Sequence, residues 1–289
     1  MLDPLARAML EGPGVPAFDF ARPPGEPALV SADSVSWRVF RNPVALLTGG
    51  IAAVILELAE PAVRSGVWEH SDFRRDPVRR LRRTGLAAMV TVYGARGPAE
   101  AMIAGVRRAH ARVEGRTAAG EPYRADDPAL LRWVQATAVW GFAEAFRRYV
   151  RPLDDLALDR VFAEGRTAAR LYGVTDPPGS VGDWRALLEG MRERLEPSPV
   201  IGEFLDIMLD APVLPRPLRP VQRLMVRGAV SILPDWIQAR LDLRTRRLGT
   251  GDGMLLRHMG ALADRIELPS APPARALQRL GLPPDWLRR

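Results

Sequence analysis

Apolar residues recur at intervals of three and four along most of the chain, from about residue 35 to about residue 280. This period places them on one face of a helix, so the pattern predicts a succession of amphipathic helices. Runs of alternating β-branched residues bounded by hairpin turns are missing, which argues against a sheet. The pattern therefore predicts an all-α fold.

Several of the predicted helices carry capping signals. Asp127-Pro128 is typical of a helix start, because the aspartate accepts free backbone N–H groups and proline has none to satisfy. Asp76-Pro77 repeats this signal, and Pro98 and Gly115 predict the start and the end of a third helix. Further helical patterns follow at about 154–172, 183–195, 199–209, 217–231, 235–246, 253–265 and 273–280.

The first 35 residues have a different composition. They are rich in proline and glycine, which predicts an extended N-terminal arm that packs over the helical body. No internal repeat or low-complexity tract interrupts the rest. We predict a single domain over residues 1–289, with the helices of residues 201–289 packed on the others because their apolar faces are too small to form a separate core.

Composition narrows the classes of function. The chain carries 41 basic side chains, all of them arginine, interleaved with 34 acidic ones, so its net charge of +7 is weak evidence for nucleic acid. Absence of cysteine excludes disulfides, thiolate metal sites and cysteine nucleophiles. The N-terminus does not resemble a signal peptide, and the apolar segment Val44–Leu58 is shorter than the ~20 residues that span a bilayer. We expect a cytoplasmic protein without a transmembrane segment.

His110 is the histidine whose position is most suited to a ligand. Ile103, Val106, His110 and Val113 follow a 3-4-3 spacing, which places them on one helix face, directed to the core. A histidine in this position can simply hydrogen-bond a carbonyl group. A neutral imidazole in an apolar wall is also what an axial haem ligand requires. The spacing leaves both interpretations open.

An arginine cluster precedes Thr84. Arg80 and Thr84 lie at i and i+4, and Arg83 lies one step round the same turn. A solvated face is the simplest interpretation of such a run. Leu81 and Ala88 nevertheless predict that one side of this helix is buried, so at least one arginine beside Thr84 should edge a cavity. A guanidinium there suits a carboxylate such as a haem propionate.

Gly49 and Gly50 lie inside an otherwise apolar helical pattern. Each costs about 1 kcal/mol of helix stability relative to alanine. Two reasons can explain why glycines are present despite this cost: close packing between helices, or room for a flat cofactor against the backbone.

The motifs form an ordered set over residues 36–200. They read Ser36-Trp37-Arg38, Leu46-Leu47-Thr48-Gly49-Gly50, Glu69-His70-Ser71-Asp72-Phe73, Arg80-Leu81-x-Arg83-Thr84, His110-Ala111-Arg112-Val113 and Trp133-Val134-Gln135-Ala136-Thr137. This set resembles the haem-dependent oxygenase family that includes the mpaB-type oxygenases and the catalytic domain of latex-clearing rubber oxygenases.

The resemblance implies a globin-like helical body that binds b-type haem and cleaves carbon–carbon double bonds of isoprenoid chains. It makes His110 the proximal iron ligand, and Arg80 and Thr84 the arginine and threonine of the distal-side helix. Arg80 or Arg83 would pair with a propionate or stabilise charge on dioxygen. His70 is a weaker candidate, for the pocket wall or for acid–base chemistry, with a surface histidine as the alternative.

Two departures from the family pattern bear on the chemistry. Rubber oxygenases carry a lysine, a potential iron ligand, where this chain has Arg83, and arginine keeps its charge and has no lone pair to give. Many relatives carry a histidine where this chain has Gln135, which cannot act as an acid or a base.

The sequence therefore predicts a haem b-dependent oxygenase that acts on a lipophilic, isoprenoid-like small molecule, with dioxygen as co-substrate and an electron donor as a further partner. One alternative is a non-catalytic helical protein that binds haem or a hydrophobic ligand, which the change at Gln135 favours. A DNA-binding regulator ranks last because no helix-turn-helix is recognisable.

Overall fold

The computed structural model describes residues 11–288, and its architecture is all-α. The described helices are α1 Val35–Arg41, α2 Pro43–Ala59, α3 Pro61–His70, α4 Pro77–Tyr93, α5 Arg96–His110, α6 Pro128–Tyr149, α7 Asp155–Tyr172, α8 Val181–Gly190, α9 Pro199–Asp210, α10 Arg219–Ile232, α11 Asp235–Arg240, α12 Asp252–Ala263 and α13 Pro272–Arg279. Short 3₁₀ turns cover Arg216–Leu218, Arg244–Arg246 and Trp286–Arg288.

The predicted aspartate caps are confirmed. The side chain of Asp76 accepts a hydrogen bond from the backbone N–H of Arg79, and Pro77 is the first residue of α4. Asp127 accepts from the backbone N–H groups of Ala129 and Leu130 at the start of α6. In both helices the cap satisfies N–H groups that the helix itself leaves free.

The predicted end of the third helix is wrong. α5 begins at Arg96 and ends at His110, and the chain then forms a β-hairpin of β1 (Glu114–Arg116) and β2 (Pro122–Arg124), with Gly115 opposite Tyr123. Tyr123 packs so closely on Gly115 that a Cβ there would lie 2.8 Å from the tyrosine hydroxyl. Gly115 is therefore required by the hairpin, and Val113 lies beyond the helix.

The N-terminal arm packs over the helices, as predicted, from residue 11 onwards; residues 1–10 of the predicted arm lie outside the described residues. A buried arginine of α13, Arg279, fastens it. The Arg279 guanidinium donates hydrogen bonds to the carbonyls of Phe20 (2.7 Å) and Glu26 (2.8 Å) in the arm and of Tyr93 (2.9 Å) in α4. The arm, α4 and α13 are thereby joined at one buried cation.

Helices α2 and α6 form the centre of the fold. They run antiparallel and touch at Gly49 and Gly141, where a Cβ on either residue would lie 2.5 Å from the carbonyl oxygen of the other. Trp133 of α6 adds a hydrogen bond from its indole N–H to the carbonyl of Leu56 (3.3 Å). For Gly49 the structure supports the close-packing explanation.

The C-terminal helices α10 and α12 pack against α2 and α6. A Cβ at Gly260 of α12 would lie 2.0 Å from the carbonyl oxygen of Tyr149, and the amide of Asn42 donates to the carbonyl of Gly260 (3.0 Å). These contacts join residues beyond 200 to the central pair; that the chain behaves as one domain in solution stays a prediction.

Within the described residues, no single helix has the length and apolar character to cross a membrane. The pair α1 and α2 meets these criteria only when taken together, and the two helices meet at a bend of 95°.

Gly49→Ala should lower the free energy of unfolding by about 2 kcal/mol or more, because the new methyl group meets backbone that cannot turn away. Gly50→Ala is the matched control. Its Cβ would lie 3.5 Å from the ring of Phe142, an ordinary contact, so the gain in helix propensity should leave stability unchanged or raised by up to about 1 kcal/mol. Urea unfolding checks both, and equal losses in the two variants would contradict the close-packing account.

Candidate functional site

A slot separates two parts of the helical body. α4 and α5 make hardly any contact with α2 and α6. None of residues 77–85 in α4 and none of residues 104–110 in α5 is fully buried. One face of α2 stays partly accessible, although the rest of that helix after Pro43 is buried; its members are Leu46, Leu47, Gly50, Val54 and Glu57. We call this space the slot and the accessible face of α2 its apolar wall.

Glu57 lies at the end of the apolar wall, in the last turn of α2. The hydroxyl of Thr137 in α6 donates to the carbonyl of Val134 (2.9 Å) and lies 3.4 Å from Glu57 Oε1. Burial raises the pKa of Glu57 to about 7, although the positive charge of Arg80 and the contact with Thr137 both act to lower it. Glu57 is therefore partly protonated near neutral pH.

Arg80 faces Glu57 from α4. Its guanidinium donates a hydrogen bond to the hydroxyl of Thr84, which in turn donates to the Arg80 carbonyl (3.0 Å). Burial lowers the pKa of Arg80, the negative charge of Glu57 raises it, and the nearby charge of Arg83 lowers it further. Thr84 thus holds the Arg80 side chain in place, one turn along the same helix.

The neighbouring arginines of the cluster have other surroundings. Arg79 forms ion pairs with Asp72 (2.5 Å) and Asp76 (3.2 Å). Arg82 lies against Gly12 of the arm. Arg83 is exposed and has no hydrogen bond or ion pair within residues 11–288. Of the cluster, Arg80 is the residue that interacts electrostatically with Glu57, and Arg83 is a second cation close to Arg80.

His110 is the last residue of α5, and its imidazole lies within electrostatic range of Arg80. Its Nδ1 is buried and has no hydrogen-bond partner within the described part of the chain. Burial lowers the pKa of His110, the charge of Arg80 lowers it further, and Asp126 opposes both. The imidazole is consequently neutral at neutral pH and has a nitrogen lone pair to offer. Within residues 11–288 no backbone carbonyl accepts a hydrogen bond from the His110 side chain, and its role as an iron ligand stays a prediction.

Other residues singled out in the sequence lie elsewhere. His70 is exposed at the end of α3, and no hydrogen bond or ion pair among the described residues joins it to Arg80 or His110. Gly50 belongs to the apolar wall, whereas Gly49 is in contact with α6. The amide of Gln135 lies against Gly165 of α7, where its Oε1 is buried without a partner.

Sequence reasoning missed Glu57. The signal was available, because Glu57 is the sole charged residue in α2 and it follows thirteen residues without one from Val44 onwards. A charge in a buried helix costs free energy unless it has a partner, and that cost marks a functional candidate. Its partner Arg80 comes from another helix, so nothing local in the sequence connects the two.

Within residues 11–288, no group of three or more His, Cys, Asp or Glu side chains is placed to hold a metal ion. Residues 37–265 match the family model described as ER-bound oxygenase mpaB/B'/Rubber oxygenase, catalytic domain. No curated protein and no solved structure gives a significant match, so the globin-like arrangement stays a prediction.

The raised pKa of Glu57 predicts a pH dependence of stability. The unfolded state loses its proton near 4.5 and the folded state near 7, so between these values the folded state holds a proton that the unfolded state lacks. Stability contributed by Glu57 is therefore complete below the lower value and is lost as pH rises through the upper one, by up to about 3 kcal/mol.

Glu57→Gln should remove this loss of stability with rising pH. Urea unfolding of both proteins at about pH 5 and about pH 8 measures it, and His110 contributes equally to both, so the difference isolates Glu57. The same change in stability with pH in wild type and variant would show that Glu57 titrates normally.

Proposed function

Because the chain belongs to the family of oxygenase catalytic domains that includes mpaB and the rubber oxygenases, we propose that it binds b-type haem in the slot and oxidises a lipophilic small molecule. The observation that carries this proposal is the neutral imidazole of His110, whose buried Nδ1 has no hydrogen-bond partner within residues 11–288, together with the partly accessible apolar wall of α2.

The residues of the slot fit the three parts of a haem. The lone pair of His110 suits the iron. Leu47 and Val54 of the apolar wall suit the macrocycle, since both are accessible in the slot. Arg83, which is exposed and has no ion pair within residues 11–288, suits a propionate, because a guanidinium can bind a carboxylate through two parallel hydrogen bonds. When bound, the haem supplies the iron that activates dioxygen.

Glu57 and Arg80 supply the acid–base part of the reaction. A carboxyl group with a pKa of about 7 can give or take a proton near neutral pH at little cost, which is the property a general acid–base catalyst needs. The fixed positive charge of Arg80, held by Thr84, stabilises negative charge that develops on the oxygen atoms that dioxygen contributes. His70 has no place in this scheme.

The substrate class follows from the apolar wall and the family. We propose oxidative cleavage of a carbon–carbon double bond in an isoprenoid-like chain. In that reaction one dioxygen molecule provides both oxygen atoms of the two carbonyl products, and no outside electrons are consumed. Hydroxylation of the same substrate would instead consume two electrons, which a separate electron donor would have to deliver.

The test is turnover by haem-loaded protein with a short polyisoprenoid, with and without an added reductant. We expect aldehyde and ketone products, and one dioxygen consumed per double bond cleaved, without the reductant. Products that form only with reductant would replace cleavage by hydroxylation. Tight haem binding without any product would favour the non-catalytic binding protein, for which the replacement of histidine by Gln135 is the supporting observation.

His110→Ala should abolish stoichiometric haem binding and leave the helical circular dichroism unchanged, because the half-buried side chain contributes a ligand atom and little core packing. His258→Ala is the matched control, since His258 is exposed and its Nδ1 lies 2.8 Å from the carbonyl of Met254. Titration with haem, followed by the Soret band, measures both. A full and unshifted band in His110→Ala would mean that another residue holds the iron.

A further inference from the structure

The outer face of α12 is largely apolar, with the exposed His258 between Met254 and Leu262 on the same face. Among the described residues, five large hydrophobic side chains are exposed, and four of them lie between residues 254 and 266. Met254, Leu255 and Leu262 of α12 are exposed by 62%, 55% and 62%, and Ile266 follows just after the helix. The opposite face of α12 is buried through Leu256 and Gly260. A helix that is apolar on both faces, with one face in solvent, indicates a docking surface.

The fifth exposed side chain, Leu156, lies on α7. Leu156 and Asp264, the residue that follows α12, line the same recess of about 280 Å³. The recess therefore lies at the C-terminal end of α12, where Asp264 follows the helix. We call Met254, Leu255, Leu262, Ile266 and Leu156 together the apolar patch.

The recess is lined by an excess of arginine. Arg38, Arg41, Arg151 and Arg160 line it, against the two carboxylates Asp154 and Asp264. Asp264 is buried and binds both Arg41 and Arg151 (2.7 Å each).

Asp154, in turn, caps α7 by accepting from the backbone N–H of Ala157. Arg38 and Arg160 are exposed and have neither a hydrogen bond nor an ion pair in the described part of the chain, so the recess presents two uncompensated positive charges.

Further unpaired arginines border the patch. Arg257 lies on α12 itself and Arg265 is the second residue after it, and neither side chain has an ion pair within residues 11–288. A symmetric contact between two copies of this face would bring these cations close to their own copies, which is unfavourable. An apolar surface rimmed by cations is instead complementary to a membrane whose headgroups are anionic.

We propose that the apolar patch is a membrane-docking surface, with α12 lying in the plane of the interface and the arginine-lined recess taking the phosphate of an anionic phospholipid. Met254, Leu255 and Leu262 enter the boundary between headgroups and acyl chains, while Arg38 and Arg160 contact the headgroup. This attachment is peripheral and is independent of the slot. A lipophilic substrate would be available at the same surface.

The test is sedimentation of the whole protein with vesicles of phosphatidylcholine alone, or of phosphatidylcholine and phosphatidylglycerol in equal parts. We expect binding to the mixed vesicles that weakens as salt is added, and little binding to phosphatidylcholine alone. Absence of binding to the mixed vesicles would overturn the proposal.

Two variants separate the parts of the surface. Met254→Ser, Leu255→Ser and Leu262→Ser combined should lower vesicle affinity by roughly tenfold or more, since the exposed side chains no longer enter the interface. Arg38→Gln with Arg160→Gln should lower it by roughly 30-fold at low salt. The control is Arg170→Gln with Arg185→Gln, two exposed and unpaired arginines on α7 and α8 away from the recess, which should have little effect.

These measurements also distinguish specific docking of the apolar patch on a membrane from diffuse charge attraction and from contact with a second copy of the chain. An equal loss in the control pair would mean that diffuse positive charge, and not this surface, binds the vesicles. A second copy of the chain would show itself differently: the wild type would be a dimer by light scattering, the triple serine variant a monomer, and neither would bind vesicles. That result would also overturn the proposal.

Discussion

The backbone contact between Gly49 and Gly141 fixes the centre of this protein. With no side chain on either residue, α2 and α6 approach until the carbonyl of each nearly touches the Cα of the other. Two turns further along α2, the same antiparallel packing brings Glu57 to Thr137 and Leu56 to Trp133. α10 and α12 then close the far side of the pair. The position of the acidic group in the slot therefore depends on the two glycines.

The slot exists because α4 and α5 do not share in that close packing. Their exposed halves hold the polar groups, Arg80 with Thr84 and His110 with its free nitrogen, while the apolar wall faces them from α2. The slot leaves accessible an apolar wall that folding would normally bury, beside groups whose pKa values are shifted by burial and by one another. Such an arrangement gains stability when a flat, apolar and anionic group enters it.

The sequence predicted the parts of this structure that local chemistry decides. The Asp-Pro caps, the helical periods, the arm and the nearness of Arg80 to Thr84 follow from neighbours in the chain, and the structure agrees with each. The predicted end of α5 at Gly115 was wrong. Gly115 belongs to a β-hairpin and is in close contact with Tyr123 of the second strand. Glu57 was missed for a similar reason. Its charged partner Arg80 lies on α4, which does not adjoin α2 in the chain.

Hydrogen exchange with and without haem tests the central claim most directly, because it reports where in the chain the group binds. If haem fills the slot, amide groups in residues 77–85 of α4 and 104–110 of α5, none of which is fully buried, should gain strong protection. The contact region of α2 and α6 around Gly49 and Gly141 should change little, since it is already buried. Protection confined to the surface, or spread over α12 and the C-terminal helices with α4 and α5 unchanged, would contradict the account.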